Sequence, residues 1–132
     1  NNTQIAFRVA KTTPTKIGQF VTLWKRTNQG PIAPYDISDS VDLFVIFMRE
    51  KEKFGQFVFP VNVLISKNIV SVNKKGGKRA IRLYAPWVHT TSVQAAKTQN
   101  WQIKYFIDLS ESRINFEHVN KLYTEYKFLE PI

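Results

Sequence analysis

From Val41 to Met48 the chain reads VDLFVIFM, seven apolar residues interrupted only by Asp42. A strand with one wet face alternates apolar and polar residues, so a run with no polar face must be covered on both sides. Eight residues is the length of a strand, and it is far below the roughly 18 needed to span a membrane. The run therefore predicts the central strand of a sheet sandwiched between other layers. Asp42 stands where that strand opens, and a carboxylate there needs a hydrogen-bond donor, a base such as Lys11 or Lys25, or a metal ion.

The flanking segments predict the rest of an α+β domain. Thr3 to Lys11 alternates, which puts Ile5, Phe7 and Val9 on a buried face and Ala6, Arg8 and Ala10 on the other. After the turn residues of 12–18, Gln19 to Arg26 returns as a second strand, and the two are expected to pair as a hairpin. Residues 27–40, with Gly30, Pro31 and Pro34, read as a loop. Beyond the central strand a charged turn leads into Gln56 to Phe59, and Pro60 suits the first turn of a short helix running to about Lys67. Ile69 to Val72 and Ala80 to Tyr84 are expected to form a hairpin with a flexible, cationic tip at 73–77. Ser92 caps a predicted helix to roughly Ile107, with Val93, Ala96 and Ile103 near one face, although Ile103 to Ile107 also reads as strand. Ser112 caps a last helix with Phe116, Val119, Tyr123 and Tyr126 at helical spacing. No repeat or linker divides the 132 residues, and 43% hydrophobic residues suffice for one core. Because the chain begins at Asn1 rather than Met, a preceding segment is allowed for.

Several chemistries are excluded by what is missing. With no cysteine there is no disulfide, thiolate zinc site or cysteine nucleophile, and the lack also fits a reducing compartment. No secretory signal or membrane span is present, so a cytoplasmic location with no role for a membrane is expected. His89 and His118 have no metal-binding spacing, and His118 is expected to face solvent on the final helix. Nucleophile-elbow, Walker and dinucleotide motifs are absent. Asp36, Asp39 and Asp42 recur every third residue without the glycine bend of a calcium loop, so Asp36 and Asp39 read as turn and cap residues.

The charge is unevenly distributed. Residues 1–35 and 53–107 carry fourteen bases and no acid, within a formal net charge of +9. If these segments converge on one face, they form a groove for a polyanion. Lys11, Lys16, Lys25, Arg26, Lys78, Arg79 and Arg82 are the expected phosphate contacts, and Tyr84 and Trp87 the expected stacking residues; Phe20 and Trp24 are expected in the core. Cations that neutralise phosphates release counterions, and exposed aromatic faces stack on unpaired bases. The expected partner is nucleic acid, DNA before RNA and with single strands among the targets. Such binding would require no cofactor, and a homodimer is compatible with it. The rival expectations are a regulatory module for an acidic protein and a metal-dependent nuclease.

Four stretches carry a family resemblance: RVAKTTPTKIGQFVTLWKR (Arg8 to Arg26), GQFVFP (Gly55 to Pro60), GKRAIRLYAPW (Gly77 to Trp87) and TQNWQIKYF (Thr98 to Phe106). Their order and length resemble the bacterial MepB-like family, named for operons that also encode a multidrug exporter and its repressor. The resemblance implies a restriction-endonuclease-like α+β fold, with a mostly antiparallel sheet and flanking helices. In such nucleases a strand-opening Asp and an acid on the next strand hold Mg or Mn, and a lysine steadies the attacking water. Here Asp42 would be the metal-binding acid, Gln56 stands where the second acid is expected, and Lys25 or Lys11 would supply the lysine. The missing carboxylate implies a degenerate catalytic site, in which binding outlasts cleavage.

Overall fold

The computed structural model of the chain describes residues 2–28 and 30–128. In chain order the strands are β1 (Ile5–Val9), β2 (Lys11–Thr12), β3 (Gln19–Thr22), β4 (Trp24–Arg26), β5 (Ile32–Pro34), β6 (Leu43–Glu50), β7 (Lys53–Pro60), β8 (Ala80–Leu83) and β9 (Phe106–Asp108). The helices are α1 (Val61–Ser66), α2 (Val93–Gln102) and α3 (Phe116–Thr124). The main sheet has the order β1-β6-β7-β9, with β1 parallel to β6 and the other pairs antiparallel. A second sheet, β2-β3-β8, and the ribbon β4-β5 are antiparallel. The architecture is α+β, as the sequence predicts. No helix among the described residues is long and apolar enough to cross a membrane.

The run at Val41 to Met48 becomes β6, paired on both edges, with Leu43, Phe44, Val45, Ile46 and Met48 buried. One face of the main sheet carries an aromatic cluster. Phe57 stacks on Phe59 with centroids 5.4 Å apart and meets Phe106 at 4.8 Å, and Phe59 meets Trp101 of α2 at 5.5 Å. Fixed ring geometries of this kind add to burial and lock α2 over the sheet. On the other face the Tyr123 hydroxyl of α3 donates to Gln56 Oε1 at 2.6 Å, and Leu122 and Tyr126 are buried. Pro60, the last residue of β7, is the N-cap of α1, which starts at Val61, and Ser92 caps α2 by accepting from the Ala95 N–H.

Several local expectations are overturned. Ile5, Phe7 and Val9 lie outward at 51%, 52% and 55% exposure, while Ala6 and Arg8 are half-buried and Ala10 is buried. Alternation sets a period of two but not its phase, and the parallel pairing with β6 selects the opposite phase. Arg8 is tolerated inside because Nη2 donates to the Tyr35 hydroxyl at 2.6 Å. The predicted first hairpin survives only as β2 against β3, and Gln19 to Arg26 splits at Leu23 into strands of two sheets. The expected loop contributes β5. Ile69 to Val72 forms no strand with β8, whose partner is β3. The tip at 73–77 is anchored, because Asp36 Oδ1 accepts from the Lys74 N–H at 2.7 Å and Asn68 Oδ1 from the Gly77 N–H at 3.1 Å. α2 ends at Gln102, leaving Val93 and Ile103 exposed, and a 3₁₀ turn at Ile103–Tyr105 leads into β9. Asn115, not Ser112, caps α3, and Phe116 is exposed. His118 is half-buried, with Nε2 2.8 Å from the Phe106 carbonyl oxygen, so it ties α3 to β9 and does not face solvent.

Candidate nucleic-acid interface

Five of the seven bases expected to line one groove divide among three concavities, and Lys11 and Arg79 line none of these three. Lys16 lies in a cavity of about 710 Å³ whose wall mixes Glu50 and Glu52 with Lys51 and Lys53. Trp87 lines the same cavity, pinned by its Nε1–H to Glu50 Oε1 at 2.9 Å and by an edge contact with Phe106. Lys25 and Arg26 line a second, of about 500 Å³, together with Asp36 and Asp39. The third concavity, of about 470 Å³, contains Lys67, Lys78 and Arg82, together with Tyr84 and Trp101, and no acid lines it. Of the predicted contacts, only Lys78, Arg82 and Tyr84 come together there. Lys67, the C-cap of α1, joins them with its Nζ 5.3 Å from the Trp101 ring centroid. No motif in the sequence pointed to Lys67. Arg79 is exposed but does not line the groove.

The groove exists because β8 is an edge strand and α2 runs beside it. An unpaired edge exposes N–H and C=O groups that must find partners. Here a side chain supplies them. Gln102, 1% exposed, accepts from the Tyr84 N–H through Oε1 at 2.9 Å and donates through Nε2 to the Arg82 carbonyl at 3.0 Å. One turn earlier on α2, Gln99 Nε2 donates to the Ala85 and Val88 carbonyls at 2.9 and 2.8 Å. The amide of Gln102 thus continues the ladder in place of a neighbouring strand, and it holds the backbone that bears Arg82 and Tyr84. On the other side, Arg82 Nη1 donates to Thr13 Oγ1, the Ile17 carbonyl and the Gly18 carbonyl at 3.1, 3.1 and 3.3 Å. Gly18 has φ +82°, and a Cβ there would lie 2.6 Å from the Leu83 carbonyl and 2.9 Å from the Tyr84 ring. Only glycine lets the 13–18 turn approach the groove wall so closely.

The second concavity is organised by an acid. Asp36 is 5% exposed and accepts from the Ser38 N–H, the Ser71 hydroxyl, the Lys74 N–H and the Ser38 hydroxyl, at 3.0, 2.7, 2.7 and 2.8 Å. In return the Asp36 N–H donates to Asp39 Oδ2, which completes a capping box. The cap roles read from the sequence are therefore observed. These donors, the Ser38 N–H foremost, then Ser71 and Lys74, hold the Asp36 carboxyl far below the usual carboxylate range. A depressed folded value means that the contribution to stability is complete above the unfolded value of about 3.9 and is lost as pH falls from there toward the folded one. Asp36→Asn should accordingly be less stable than the wild type in urea titrations at pH 5 to 7, with a gap that narrows below about pH 4. A gap that does not change with pH would mean that the charge of Asp36 is not what ties Ser71 and Lys74 to it.

The nuclease-type set is not assembled. Asp42 Oδ2 accepts from the Gln4 N–H at 2.8 Å, the strand-end hydrogen bond that was one of its expected partners. Gln56 pairs across the sheet with Phe47, five residues further along β6, which separates it from Asp42 by about 16 Å at roughly 3.3 Å per residue. Gln56 bonds Tyr123, and Lys25 Nζ is ion-paired with Asp39 Oδ1 at 2.6 Å. An antiparallel turn brings together the ends of its two strands nearest the loop. Asp42 lies at the far end of β6 from the β6–β7 turn, and Gln56 does not reach it. Among the described residues no three His, Asp or Glu side chains are grouped so as to hold a metal ion.

Comparison with known proteins gives two matches. The MepB-like family model matches residues 1–108. The crystal structure of MepB is similar to this chain, with 35% sequence identity and a TM-score of 0.77 over 82% of this chain and 72% of that one. A search of the curated proteins finds no match.

Proposed function

The chain belongs to the MepB-like family, and within that family we propose that it binds the phosphate backbone of nucleic acid in the groove between β8 and α2. One observation carries this reading: Lys67, Lys78 and Arg82 line a single concavity with no acid among them. Three cations lining one groove attract a polyanion and release its counterions, whereas the other two concavities offset their bases with carboxylates. Tyr84, half-buried in the same groove, offers an aromatic surface with the cations. A restriction-endonuclease-like reading of the fold belongs with this proposal. It is supported by a mixed four-stranded sheet with helices against it, and DNA is the first target to test. A cytoplasmic location, where nucleic acid is accessible, goes with it.

The test is a fluorescence-anisotropy titration of labelled single- and double-stranded oligonucleotides at a series of salt concentrations. Three phosphate contacts should give a logarithmic salt slope of about −2 for a single strand and about −3 for a duplex, with little dependence on sequence. A slope near zero, or no binding at low salt, overturns the proposal. Adding Mg or Mn in parallel, with a gel readout for cleavage, addresses the nuclease alternative.

A further inference from the structure

We infer that the open face of the β2-β3-β8 sheet is a second contact for nucleic acid, with Phe20 as a platform for one unpaired base. This rests on the reading of the groove as the backbone site and extends it along the surface. The register places Lys11, Phe20 and Arg82 in one row across the three strands. Cross-strand partners point to the same face of a sheet. The alternate face is closed, with Gln19, Val21 and Leu83 buried, so the row points outward. Phe20 is 38% exposed, and the guanidinium carbon of Arg82 lies 5.9 Å from its ring centroid.

The composition of that row is what points to a ligand. An aromatic side chain on an open sheet face, between a lysine on one strand and an arginine on the next, is poorly used as core. It suits a base stacked on the ring with cations placed for the flanking phosphates. Adjacent strands are about 4.8 Å apart, so the row spans roughly 10 Å at right angles to the strands. The next row on the same face is Thr22 and Ala80, both small. Arg82 belongs both to this row and to the groove, so the two contacts are continuous. A base pair keeps its faces inside the stack of a duplex; the base on Phe20 must be unpaired.

The experiment uses the full chain, dye-labelled oligothymidylate, and an abasic sugar-phosphate strand of the same length. Phe20→Leu should weaken oligothymidylate binding by about 5- to 100-fold, the range of one base stack, and leave the abasic strand unaffected. Phe20→Trp should keep the affinity, and its added indole emission should be quenched by oligothymidylate more than by the abasic strand. If Phe20→Leu binds oligothymidylate like the wild type while Lys78→Glu binds it more weakly, the stacking inference is overturned and the groove stands. If neither substitution weakens binding, the groove reading fails and this inference with it. Thermal denaturation of each variant identifies any loss that comes from unfolding.

Discussion

Gln102→Leu should lower the unfolding free energy by about 2–4 kcal/mol, because two part-buried backbone groups at the edge of β8 lose their partner at about 1–2 kcal/mol each, the lower part of the range for an unsatisfied buried group. In the native chain the Gln102 amide accepts from the Tyr84 N–H and donates to the Arg82 carbonyl from a site that is 1% exposed. Leucine has nearly the same volume but bonds neither group, and among the described residues no strand lies on that edge to replace it. For a chain of this length the loss corresponds to a fall in Tm of roughly 10 °C. Gln94→Leu, also on α2 but exposed, should change stability by no more than about 0.5 kcal/mol. Urea titrations of both variants provide the check. If Gln102→Leu unfolds within 1 kcal/mol of the wild type, roughly the value of one ordinary hydrogen bond, the glutamine is not what completes the edge. A second consequence is functional, since the same backbone carries Arg82 and Tyr84. A folded Gln102 variant should also bind nucleic acid less well.

The largest effect on affinity is expected from reversing two groove charges. Each Lys→Glu change replaces an attraction to phosphate with a repulsion. At about 1 kcal/mol per close pair in water, that amounts to about 2 kcal/mol per site. Lys67→Glu combined with Lys78→Glu should therefore weaken binding by about 100- to 1000-fold at low salt, and by much less at high salt, where the field is screened. The comparison that gives this meaning is Lys16→Glu with Lys51→Glu, which changes the net charge equally but in the cavity that already holds Glu50 and Glu52. That pair should weaken binding by less than about 10-fold, the long-range part of the same field. Equal losses for both pairs would show that net charge alone drives association and that the groove has no special part.

Features set by near neighbours in the chain could be read directly. The VDLFVIFM run has the length and composition of a strand covered on both faces, Pro60 could precede a helix but not continue one, and Ser92 and the Asp36–Asp39 pair are caps whose partners lie two or three residues away. Each depends on local sterics and local donors, which the order of residues specifies. The family was also legible, because four long stretches in order carry far more information than any one site.

What the tertiary structure alone decided involves residues distant in sequence. The phase of β1 depended on its lying parallel to β6, some 38 residues later. The alternation of Ile5, Phe7 and Val9 was compatible with either face until that partner was chosen. Phe20 read as core because aromatic residues in strands usually are, and its exposure follows from sitting opposite Lys11 and Arg82 on the uncovered side of a three-stranded sheet. Gln102 looked like an ordinary polar helix residue. It became the completing partner of β8 only because α2 runs along that free edge. Charge behaved in the same way. Fourteen bases without an acid marked long segments, but folding brought acids from 36–52 beside Lys16, Lys25, Arg26, Lys53 and Lys74, and left Lys67, Lys78 and Arg82 together without one. Composition along the chain determines how many charges of each sign there are, whereas which of them share a surface depends on strand pairing and helix packing, and those are fixed by burial across the whole chain.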